Sequence, residues 1–215
     1  VEDVPPEDGA AVFRPPYVGT EKPMYRVADL KTDLLPKYEP VTPMPTLESV
    51  AKRFSTLQMD HKTGVIGRSL RPQDNMQDYA PKNTPAQNEA ALRLMMNDDL
   101  AAKMPALIQY VQYGIDKIHT IYLGQTWPDG GGHQPGHRIV ATFAAVMLDL
   151  PKAKQVLRDA DYFHGSRWFY RGKEGRVLWG GPGSEKSYWT YVMTGKGNRS
   201  NKDPYGYIDG GKVSQ

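Results

Sequence analysis

The chain has 215 residues, 39% of them hydrophobic, with mixed charges and a net charge of +3. That length makes one domain the default and leaves room for two small ones. The charge is too weak, with no Lys/Arg run alternating with aromatics, to argue for nucleic acid. The absence of cysteine excludes disulfides, thiolate metal sites and a cysteine nucleophile, and no apolar run approaches the ~20 residues of a membrane span.

Residues 1–46 hold nine prolines and almost no periodic apolar pattern. Phe13-Arg14-Pro15-Pro16-Tyr17 and Pro40-Val41-Thr42-Pro43-Met44-Pro45 favour extended backbone. Such a stretch reads as a ligand for a proline-reading module or as an arm wrapped around a helical body. Its interleaved apolar residues favour the arm.

Thr46 or Ser49 opens a helix over Leu47–Phe54, and His61 to Asp78 has no period and reads as loop. Thr84-Pro85-Ala86-Gln87 predicts a helix start, with Thr as N-cap and Pro at the first position. That helix runs to about Met96, with Ala91, Leu92, Met95 and Met96 on its apolar side, and Asn97-Asp98-Asp99 breaks it. Pro105 begins the next helix. Leu107, Ile108, Val111, Ile115, Ile118 and Tyr122 recur in it at helical spacing, and Gly124 is a fitting stop. Ile139–Leu148 is apolar nearly all round, as a helix buried on more than one face would be. Lys152–Asp159 reads as a short amphipathic helix.

Beyond Asp161, Trp168, Phe169, Tyr170, Trp179, Tyr188, Trp189 and Tyr191 sit among glycines, which suggests short strands or aromatic-rich loops. The expected division is therefore a Pro-rich extended arm (1–46), a helical-hairpin domain (47–160) and an irregular aromatic, Gly-rich region (161–215). The class is mainly α. The chain starts at Val1 and ends on Asp203-Pro204-Tyr205-Gly206-Tyr207-Ile208-Asp209-Gly210-Gly211-like text, which reads as a fragment of a larger protein.

The densest chemistry lies in Trp127-Pro128-Asp129-Gly130-Gly131-Gly132-His133-Gln134-Pro135-Gly136-His137-Arg138. A helix start presents unpaired N–H groups and partial positive charge. Placing His137 and Arg138 there gathers positive groups where the backbone is already positive, a design suited to an anion. The plainer reading is a tight glycine turn with histidines in hydrogen-bonding niches. His133 and His137 have the four-residue spacing of half a helical zinc site. Pro135 and Gly136 lie between them, however, and no Glu follows the first His, so no metal is expected. The nucleophile-elbow, phosphate-loop and dinucleotide motifs are absent, and no cofactor is expected.

Thirteen tyrosines and four tryptophans suit a sugar-binding cleft as well as a core, because aromatic faces stack on pyranose rings while amides and hydroxyls pair with sugar hydroxyls. For an acidic polysaccharide, lyase chemistry needs a group that neutralises the uronate carboxylate, a base and an acid. His133 and His137 with Tyr113 are the catalytic candidates. Arg138, Asn75, Tyr79 and Trp127 are the substrate-binding ones. Hydrolysis would need two flanking carboxylates, for which Asp116, Asp129 and Asp209 are at hand without a pairing spacing.

Phe13-Arg14-Pro15-Pro16-Tyr17, Asn75-Met76, Tyr113-Gly114-Ile115-Asp116, Trp127 to His133 and Asp203 to Gly211 together resemble a group of uncharacterised bacterial proteins. That group is similar to α/α-toroid carbohydrate-active enzymes of the heparinase and alginate lyase type. In it Gly-Arg-Lys follows the histidine, whereas here the text is Gly136-His137-Arg138-Ile139. The resemblance implies antiparallel helix hairpins forming part of an α/α toroid, an anionic polysaccharide as partner and an extracellular or periplasmic location. The rival expectation is a non-enzymatic structural or interaction subunit of a larger extracellular or virion-like assembly.

Overall fold

The computed structural model describes residues 9–55, 80–127, 136–160, 162–163, 169–171 and 177–179, the last two stretches and 80–83 as backbone only. The loop expected over His61 to Asp78, the site candidates Asn75, Tyr79 and His133, and the acids Asp129 and Asp209 lie outside them. The chain divides into two compact units, Val1–Ala160 and Asp161–Gln215.

The first unit is helical: α1 (Leu47–Phe54), α2 (Ala80–Leu94), α3 (Leu100–Tyr122), α4 (His137–Met147) and α5 (Pro151–Asp159). Thr46 caps α1 by accepting from the Ser49 amide at 3.1 Å. Asp99 caps α3 by accepting from the Ala102 amide at 3.3 Å, and Pro151 takes the first position of α5. Each side-chain oxygen satisfies an amide that a helix start otherwise leaves bare.

Two helices begin earlier than their prolines suggest. Pro85 and Pro105 each stand sixth in their helix, after Ala80 and Leu100. At that depth a proline forfeits one intrahelical bond. Asp99 supplies α3 with a cap that precedes Pro105 by six residues. The buried side of α2 is also rotated from expectation. Gln87, Ala90, Ala91 and Leu94 form the inward stripe, whereas Leu92 is 54% exposed. These four follow the three- and four-residue steps of one helix face, which Leu92 leaves.

The core gathers around Tyr110, which is fully buried. Its ring meets Phe54 of α1 edge-on at 5.0 Å and Phe143 of α4 at 5.1 Å, and its hydroxyl donates to the Gln87 carbonyl of α2 at 2.9 Å. One side chain thus ties four helices. Alanines 141, 144 and 145 keep α4 slim and buried. Gly114 lets α3 approach it: a Cβ at Gly114 would collide with the Ala144 side chain and the Val140 carbonyl. Tyr110 meets Phe143 while Gly114 meets Val140 and Ala144, so the two helices touch closely over this stretch.

Residues 9–46 contain no α-helix, only single 3-10 turns at Val27–Asp29 and Thr32–Leu34. They lie along the helices by backbone bonds: the Lys31 amide donates to the Met147 carbonyl, and Tyr38 exchanges bonds with Met95 and Asn97. Phe13, Leu30 and Leu35 are buried. At the end of α2, Arg93 pairs with Asp98 and donates to the Pro45 carbonyl at 2.9 Å. In the second unit, β1 (Phe169–Arg171) pairs antiparallel with β2 (Val177–Trp179), Phe169 opposite Trp179. Among the described residues no helix is long and apolar enough to cross a membrane.

Candidate functional site

Tyr113 and Lys117 stand one turn apart on α3 and so share a face. Gly124, at φ +86°, ends that helix, and Trp127 follows on the returning chain. Gly136, at φ +96°, opens α4 and places His137 at its first position. The Gly136 turn nestles against α2. A Cβ there would stand 3.1 Å from Thr84 Oγ1 and 3.4 Å from Gln87 Oε1, and the positive φ adds its own demand for glycine.

These elements converge on one cluster. The Trp127 indole stacks on the His137 imidazole at 4.9 Å between centroids and 20° between planes. Lys117 Nζ lies 5.1 Å from the Trp127 ring centroid and 5.5 Å from that of Tyr113. Gln87 Nε2 donates to the Tyr113 hydroxyl at 3.1 Å. Lys117 and His137 are each only 2% exposed. An ammonium held away from water needs compensation, and the two aromatic faces supply part of it through the ring quadrupole.

A second charged group stands one residue away. The Asp116 carboxylate, 3% exposed, accepts from the Arg14 guanidinium and from the Tyr17 amide, the latter at 3.3 Å. Burial pushes its carboxyl up to about 6; Arg14, the Tyr17 amide and Lys117 pull the other way. Beside it, Tyr113 and Asp116 form the deep end of a cleft of about 370 Å³ between α1, α3 and the N-terminal segment. Tyr113 therefore belongs to both places: its hydroxyl reaches Gln87, and it also lines the cleft.

Of the residues singled out in the sequence, the fold brings Tyr113, Trp127 and His137 together. Arg138 goes elsewhere. Its Nη2 donates to the Leu157 carbonyl at 2.7 Å, and it borders an apolar hollow of about 450 Å³ with Leu35, Phe143 and Met147. His137 faces inward against Trp127, so the two basic neighbours do not form one rim. Consecutive residues on a helix point about 100° apart, which separates them.

Sequence reasoning gave no role to Lys117, Gln87 or Arg14. Lys117 had a signal: Asp116-Lys117 is a charged pair inside an otherwise apolar helical run. Gln87 had only a place in a cap pattern. Among the described residues no three His, Cys, Asp or Glu side chains gather as a metal site would require.

No protein-family model matches the chain, and no curated protein or solved structure does either.

Proposed function

We propose that this protein binds an acidic polysaccharide and serves its cleavage, its helices forming part of an α/α toroid laced by the Pro-rich arm. The observation that supports this most is the gathering of Tyr113 and Lys117 of α3 with Trp127 and His137, which flank the glycine-rich stretch of sequence. A cation between aromatic faces suits a uronate, which presents a carboxylate and an apolar ring face together. In this reading Lys117 neutralises the uronate carboxylate. His137 withdraws the proton beside the carboxylate, and Tyr113 protonates the leaving oxygen, as β-elimination requires. The cluster is closely covered, so the reading requires this face to open for the polymer. Hydrolysis is the alternative chemistry; it needs a pair of carboxylates, of which Asp116 is the candidate among the described residues.

A second reading, a non-enzymatic structural or interaction subunit, has its own support. The backbone of residues 31 and 38 is stitched to α4 and to the chain beyond α2, and His137 and Tyr113 face inward.

Incubation with alginate, heparin-like and pectic polymers separates the two. The enzymatic reading predicts either ultraviolet absorbance from unsaturated uronates or new reducing ends. Folded protein that neither binds nor cleaves any member of the panel contradicts it and leaves the structural reading.

A further inference from the structure

Arg14, Gln109 and Gln112 surround the cleft that Tyr113 and Asp116 close from below. Gln109 and Gln112 are three residues apart on α3 and therefore point the same way. Both are partly exposed. Gln112 Nε2 donates to the Arg14 carbonyl at 3.0 Å, which leaves its Oε1 as an acceptor. The Gln109 amide makes no side-chain hydrogen bond among the described residues, so it brings both donors and an acceptor.

The Arg14 side chain is 44% exposed. Its guanidinium is held by the Asp116 carboxylate and, at 2.9 Å, by the Pro15 carbonyl. A guanidinium carries five N–H donors, more than these two bonds use. The rings of Phe54 and Tyr113, stacked on each other 5.6 Å apart, also line the cleft and make its floor partly apolar. Amides and a fixed guanidinium over such a floor match the hydroxyl edge and apolar face of a pyranose. The volume falls near the lower end of the roughly 300–1,000 Å³ usual for ligand pockets.

We propose that this cleft is a saccharide subsite completed by the N-terminal segment, in which Arg14, Gln109 and Gln112 hold the hydroxyls of one sugar unit of the bound polymer. The inference rests on the acidic-polysaccharide reading and adds to it where a neighbouring sugar sits. It also gives the segment a part in recognition: without residues 9–17 the cleft loses one wall and its only guanidinium among the described residues.

The test is calorimetric titration of the whole chain with alginate- and polygalacturonate-derived oligosaccharides. Gln109→Ala and Gln112→Ala are the variants, each checked for an unchanged thermal midpoint. One hydrogen bond to a sugar hydroxyl is worth about 0.5–1.5 kcal/mol, so each variant is expected to bind up to about tenfold more weakly. Wild-type binding that both variants reproduce overturns the subsite and leaves the broader reading standing. Absence of any binding by the wild type overturns both.

Discussion

Asp116 is the residue whose surroundings have the clearest consequence in solution. Burial raises its carboxyl from 3.8 to about 6, so the folded chain holds this proton more tightly than the unfolded chain does. Stability linked to it is fully present below pH 3.8 and is lost as pH rises through 6. Asp116→Asn removes that titration. Chemical unfolding across this range should show wild type losing stability relative to the variant as pH rises, and a constant difference outside it. Parallel curves throughout would refute the buried-carboxyl account. His119 shifts the opposite way, its imidazole pKa lowered by burial, but it is common to both proteins and cancels. Gly114 sets a second limit at this scale. Gly114→Ala drives a methyl into Ala144 and the Val140 carbonyl and should cost at least the roughly 1–3 kcal/mol of an overpacked core. An alanine variant with the wild-type denaturation midpoint would show that α3 and α4 are not this close.

Among the elements, α1 is the simplest case of a helix readable from its sequence. It has eight residues, a capping threonine and inward Val50 and Phe54. Helices this short depend on their ends and on packing. Thr46→Ala should therefore cost about 1 kcal/mol, and Thr46→Asn much less, since asparagine also caps. Equal losses by thermal melting would mean that the threonine methyl, not its oxygen, matters. The apolar periodicity over Leu107–Tyr122 was legible because Leu107, Val111, Ile115 and Ile118 pack inward at helical steps, although residues 113–121 are buried all round the helix. The starts of α2 and α3 were not. A proline is most favourable at a first position, yet a helix can carry one further in when the loss is a single bond, and local preference does not reveal which applies. The site divides along similar lines. Trp127 and His137 could be read because glycines and aromatics crowd that stretch. Lys117 was hidden in an apolar stripe whose inward face became apparent only once Trp127 folded back beside it. Arg138 was misdirected by its neighbour, because adjacency in sequence is divergence on a helix.

For the whole molecule, the described helices form one packed body around Tyr110, with residues 9–46 laid across it. That architecture serves both an enzyme cleft and a laced structural subunit, and only ligand chemistry divides them. The most direct measurement of the central claim is a pair of binding isotherms on the intact chain, one with an acidic oligosaccharide and one with its neutral, carboxyl-reduced counterpart. A site built on Lys117 and His137 predicts saturable binding of the acidic form, weakened by added salt, and much weaker binding of the neutral form. Equal affinity for the two, or no binding of either, would contradict it.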